Sequence, residues 1–90
     1  MEIDNLLKEA REIWGEEKLN LQEIAIRMGK VFGDICKAAR NHKKDDYNEK
    51  KLKKEMGNII FSTIRWCDDL GFKPRECIEL AKEAQRKYPK

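Results

Sequence analysis

The stretch Leu52-Lys53-Lys54-Glu55-Met56-Gly57-Asn58-Ile59-Ile60-Phe61-Ser62-Thr63-Ile64-Arg65-Trp66-Cys67-Asp68-Asp69-Leu70-Gly71 decides the fold. Leu52, Met56, Ile59, Ile60, Thr63, Cys67 and Leu70 recur three and four residues apart. That period gives a helix with an apolar stripe, and the glycine at 71 is placed to stop it. Before it, Asn41 to Asn48 is aperiodic and rich in turn formers, so it reads as a connecting loop, with Asp46 and Glu49 at helix-cap spacing. Further upstream, Asn20 is followed three residues later by Glu23, which marks a helix start. Apolar residues then recur at Ile24, Met28, Val31, Phe32, Ile35, Cys36 and Ala39, carrying a second helix to about Arg40. The first helix holds Ile3, Leu6, Leu7, Ala10, Ile13 and Trp14 and ends at Gly15. Beyond Gly71 a fourth begins at Pro74, where the missing amide proton is not needed. It is expected to bury Cys77, Ile78, Ala81, Ala84 and Tyr88. No stretch alternates with period two, so no strand is expected. The reading is one all-α domain over residues 1–90, a four-helix bundle with short connections.

Composition bounds what such a bundle does. The chain has 90 residues, 40% apolar and 41% charged, enough for one modest core. A second copy packing onto that core would help it, so a homo-oligomer is expected. Twenty basic and seventeen acidic residues leave a net charge of +3, which permits a phosphate-bearing partner without demanding one. No apolar run approaches the ~18 residues of a membrane span. The N-terminus enters amphipathic helical sequence at once, so no signal peptide is expected. Cys36, Cys67 and Cys77 form no C-x-x-C pair and fit reduced thiols in a cytoplasmic protein.

Two segments carry a family resemblance. Gly33-Asp34-Ile35-Cys36-Lys37-Ala38-Ala39-Arg40 resembles the Gly-Glu-Leu-x-x-Ala-x-Arg stretch of MazG-like nucleotide pyrophosphohydrolases. Leu52 to Phe61 resembles their Glu-Leu-Gly-Asp-hydrophobic-hydrophobic-Phe stretch, and Arg65 to Gly71 follows as their helix end does. Gln85-Arg86-Lys87-Tyr88 is similar to their polar tail. The resemblance spans roughly residues 21 to 88. It implies a MazG-like bundle completed by dimerisation, as a dimer or tetramer. It also implies cleavage of nucleoside triphosphates, ribo- or deoxyribo-, to a monophosphate and pyrophosphate.

The family chemistry uses Glu-x-x-Glu on one helix facing Glu-x-x-Asp on the next. Carboxylates three apart share a helix face. Two such pairs hold Mg²⁺ or Mn²⁺, hard cations that take oxygen ligands and bridge to phosphates. Carried onto this chain, the first pair falls on Val31 and Asp34 and the second on Glu55 and Asn58. Lys30 stands where the family has a further acid. Two of four carboxylates therefore remain. The implied site has Glu55 and Asp34 as catalytic residues and Asp34, Glu55 and Asn58 at the metal. Arg27, Lys30 and Lys37 are placed for phosphate and Trp66 for a nucleobase. Glu23 shares a face with Asp34 but lies about 16 Å away along the axis, so it does not replace Val31.

Two other readings stay open. The same fold, without catalysis, would bind a nucleotide or serve as an oligomeric interaction module. Leu21 to Gly29 also reads like the first helix and turn of a DNA-binding helix-turn-helix, with Ala25, Gly29 and Ile35 at the expected relative positions. Against that, Lys30-Val31-Phe32-Gly33 offers no polar cap for a new helix, and the apolar stripe runs through. The lone His42 and the Lys43, Lys44, Lys50, Lys51, Lys53 and Lys54 stretch read as solvated surface. Gly33 and Gly57 cost roughly 1 kcal/mol each in helix interiors, which points to close helix approach or a nearby ligand.

Overall fold

The computed structural model describes residues 2–40 and 48–88. They form four helices: α1 (Ile3–Trp14), α2 (Leu21–Arg40), α3 (Glu49–Asp69) and α4 (Pro74–Arg86). No strand occurs among the described residues. The connection around His42, Lys43, Lys44 and the expected cap Asp46 lies outside them.

Local chemistry sets the helix ends. Asn20 and Glu23 form a reciprocal box: the Glu23 amide donates to Asn20 Oδ1 at 2.9 Å, and the Asn20 amide donates to Glu23 Oε1 at 3.1 Å. At α3 the cap is Asn48 rather than Asp46, its Oδ1 accepting from the Lys51 amide at 3.0 Å, and the helix opens at Glu49. Gly15 and Gly71 end α1 and α3 with φ of 85° and 81°, a region that suits glycine. Pro74 opens α4.

α2 is one unbroken helix through Gly29 and Gly33, so the helix-turn-helix reading of Leu21 to Gly29 is overturned. With no turn at Gly29 there is no separate recognition helix.

α3 is the central helix, with α1, α2 and α4 each packed on it. Ile24, Val31 and Trp66 form the core between α2 and α3, flanked by Leu19, Met28, Ile35, Ile59 and Leu70. α1 is tied to the end of α3 by charge. One Arg11 nitrogen, Nη2, donates to both Asp68 Oδ2 and Asp69 Oδ1 at 2.6 Å. Burial works against the Arg11 charge, yet the two carboxylates outweigh it and raise its pKa.

Several expected core positions lie on the surface of the single chain. Ile78, Ala81 and Ala84 of α4 and Tyr88 beyond its end are exposed, and on α4 only Pro74 is buried and Cys77 half-buried. Ile13, Trp14, Phe32, Met56 and Ile60 are exposed as well. The reason is geometric: α4 packs mainly on α3, with an exposed Arg75–Asp4 pair at 3.7 Å reaching α1, so most of its circumference has no neighbour. Close helix approach does not explain the glycines either, since a Cβ at Gly33 or Gly57 would meet nothing within 4 Å. No helix among the described residues is long and apolar enough to cross a membrane.

Candidate functional site

A cleft of about 570 Å³ opens between α2 and α3. Arg27, Lys30, Val31 and Asp34 reach it from α2 at spacings of three, one and three, a single helix face. Glu55, Asn58, Ser62, Arg65 and Trp66 reach it from α3, and Trp14 closes one end from α1. Every residue assigned to the site from sequence lines this cleft except Lys37, which is exposed on α2 outside it.

The cleft has two chemically different ends. Arg27, early in α2, acts electrostatically on Arg65, late in α3, so the two helices run antiparallel. That direction sets Asp34, seven residues on from Arg27, against the Glu55–Asn58 half of α3. The two ends are therefore about 10 Å apart along the axes. Asp34 is half-buried and Glu55 is buried, at 7% exposure. The nearest cation to Glu55 is the flexible Lys54 at 3.8 Å. Asn58 is exposed, and its Oδ1 accepts from Ser62 Oγ at 3.3 Å. Val31 is buried and forms an apolar wall where the family pattern has a ligand.

The other end is basic and was not read from the sequence. Arg65 is buried, at 5% exposure, and its guanidinium carbon lies 4.6 Å from the centre of the Trp14 ring. This cation–π contact covers one face of the guanidinium. Burial pushes the Arg65 pKa down, Asp69 opposes this, and Arg27 and Arg11 add to it. The Nε hydrogen of Arg65 is buried without a partner. Among the described residues no carboxylate lies within ion-pair distance of Arg65, and Asp68 and Asp69 both bond to Arg11. The available signal was spacing: Glu55, Asn58, Ser62 and Arg65 follow one another by three, four and three residues, so Arg65 shares their face.

Trp66 is 2% exposed and packs with Ile24 and Val31. It is a wall of the cleft and offers no open ring face for a base, while its Nε1 hydrogen is buried without a partner. Trp14 is the exposed indole of the site, at 59%.

No group of three or more His, Cys, Asp or Glu gathers as a metal cluster among the described residues. Asp34, Glu55 and the carboxamide oxygen of Asn58 are a smaller donor set. Two carboxylates and a carboxamide oxygen are hard donors of the kind that Mg²⁺ takes together with phosphate and water. No family model matches the chain, and neither does any curated protein or solved structure.

Proposed function

We propose that this chain is a MazG-like nucleoside triphosphate pyrophosphohydrolase with a reduced metal site. The observation that carries this reading is the cleft itself: the residues marked by the resemblance, Arg27, Lys30, Asp34, Glu55, Asn58 and Trp66, line one cavity. In this reading Asp34, Glu55 and Asn58 hold Mg²⁺ or Mn²⁺ at the acidic end. The ion, when bound, neutralises phosphate charge and acidifies a water. Glu55, buried and on α3, orients that water and takes its proton. Arg27 and Lys30 hold the phosphate chain on the α2 side. The products are a nucleoside monophosphate and pyrophosphate.

A second reading, a nucleotide-binding protein without catalysis, is favoured by the charge count. Arg27, Lys30 and Arg65 outnumber Asp34 and Glu55 in the cleft, and Val31 contributes no ligand. In both readings the protein works in the cytoplasm as a dimer or tetramer, with the uncovered apolar residues of α2, α3 and α4 meeting a second copy.

The deciding experiment measures pyrophosphate release from ribo- and deoxyribonucleoside triphosphates with Mg²⁺ or Mn²⁺, for wild type and Glu55→Ala. Metal-dependent release that is lost in Glu55→Ala is the expected result. Absence of release from every nucleotide removes the enzyme reading and leaves the binding protein.

A further inference from the structure

We infer that the basic end of the cleft, Arg65 with Arg27 and Lys30 under the Trp14 ring, is a metal-independent anion site that takes a phosphoryl group of a polyphosphate. The inference rests on the reading of this cleft as a polyphosphate site and assigns residues to its other half.

Three observations converge on it. Arg65 is a fully charged side chain that is nineteen-twentieths buried, at 5% exposure, with no carboxylate partner among the described residues. Burying a charge without a partner is costly, and a protein this small has little stability to spare. The two acids next to it in sequence, Asp68 and Asp69, are both turned to Arg11. Asp69 acts on Arg65 electrostatically without reaching ion-pair distance, while Arg27 repels it, a repulsion that a bound anion would convert into joint attraction.

The geometry of the guanidinium then says where the anion sits. Trp14 covers one planar face, and the donors of a guanidinium lie in its plane. Hydrogen bonds are therefore offered only from the edge, and Arg65 lines the cleft there. A planar fork of this kind matches the oxygens of a phosphate better than it matches a point charge. A narrow crevice lined by Trp14, Glu17, Leu19, Arg27 and Arg65 continues behind it. Lys30 lies one turn along α2 from Arg27, toward Asp34. The basic groups thus extend from the Arg65 end toward the acidic end about 10 Å away.

The test titrates the full chain with sodium tripolyphosphate in EDTA, following tryptophan fluorescence and heat. Trp14, whose ring centre lies 4.6 Å from the Arg65 guanidinium carbon, and Trp66 both line the cleft, so tryptophan fluorescence reports on its occupancy. The expected result is saturable binding without divalent metal, weakened at least tenfold in Arg27→Gln and lost in Arg65→Gln. Glu55→Gln, at the other end, binds tripolyphosphate as tightly or more tightly. Circular dichroism checks that Arg65→Gln is folded. If it is not, exposed Arg27→Gln and Lys30→Gln decide the matter alone. Binding that requires Mg²⁺ and is lost in Glu55→Gln overturns the inference. So does equal binding by Arg27→Gln and Lys30→Gln, or no binding by the wild type. A chain that cleaves nucleoside triphosphates but does not hold tripolyphosphate in EDTA keeps the proposed function and loses this site. One that holds tripolyphosphate but cleaves nothing keeps this site and loses the enzyme.

Discussion

Arg11→Met is the substitution with the largest expected effect on stability. The Arg11 side chain is 9% exposed and bonds at 2.6 Å to Asp68 and to Asp69, whose own side chain is 0% exposed. Methionine keeps the apolar stem and removes the charge. Asp69 is then a buried carboxylate without a partner, and its Oδ2 already lacks a hydrogen bond in the wild type. Breaking a buried pair on one side costs about 3–5 kcal/mol. Domains of this size have about 5–15 kcal/mol in all. At ~4–8 °C per kcal/mol, Tm should fall by ~12 °C or more. Thermal melts by circular dichroism measure this. The triple variant Arg11→Met, Asp68→Asn, Asp69→Asn should recover more than half the loss, because no uncompensated charge remains. A Tm drop under ~4 °C for Arg11→Met, or no recovery in the triple variant, would refute the argument that this ion triad fastens α1 to α3. The consequence reaches the cleft, since α1 carries Trp14 over Arg65.

Other perturbations separate local effects from tertiary ones. Asn20→Ala removes one half of the α2 capping box and should cost ~1 kcal/mol in urea unfolding, with little change at the cleft. Gly57→Ala should stabilise the chain by about 1 kcal/mol, since the site is helical and an added Cβ meets nothing. A loss of stability instead would mark Gly57 as covered by a second copy. Iodoacetamide at pH 8 should label exposed Cys36 before Cys67, as followed by peptide mass. Burial and then the neighbouring Cys77 push the Cys67 thiol up from 9.0 to about 11. That raised value favours the protonated thiol in the folded state. Its contribution is complete below pH 9 and is lost as pH rises toward 11, which alkaline melts of wild type against Cys67→Ser should reveal.

The fold was legible where the deciding interactions are local. Asn20 and Glu23 form the cap that their spacing announces, Pro74 opens α4, and Gly15 and Gly71 close their helices with positive φ. Burial on α3 was less legible. Its sequence carries apolar residues on more than one side, and as the central helix it is contacted from three directions. Periodicity alone favoured Met56 and Ile60, both of which are exposed, over Glu55, which is buried. α4 failed for the opposite reason: its stripe is regular, but α3 is the one helix packed extensively against it. At the candidate site, Asp34, Glu55 and Asn58 are singled out by the family resemblance, and all three line one cleft. Arg65 shares their helix face by spacing, but its contact with Trp14, far away in sequence on α1, was not legible.

Arg65 and Glu55 also bear on one another. They lie ten residues apart on one face of α3, about 15 Å along the axis, well beyond the reach of an ion pair. Each is buried, and neither has a close rigid counter-ion: Glu55 has only exposed Lys54 at 3.8 Å, and Arg65 has the face of an indole. The same helix satisfies a third buried charge well, since Arg11 receives two carboxylates. The chain therefore pairs charges where they fasten helices together and leaves them unpaired where they line the cleft. Hydrophobic residues at 55 and 65 would pack α2 against α3 without this desolvation cost. A ligand with a cationic and an anionic portion roughly 15 Å apart would supply both partners at once. Under the proposed function, a polyphosphate carrying a divalent ion at one end would have that sign pattern, cationic toward Glu55 and anionic toward Arg65.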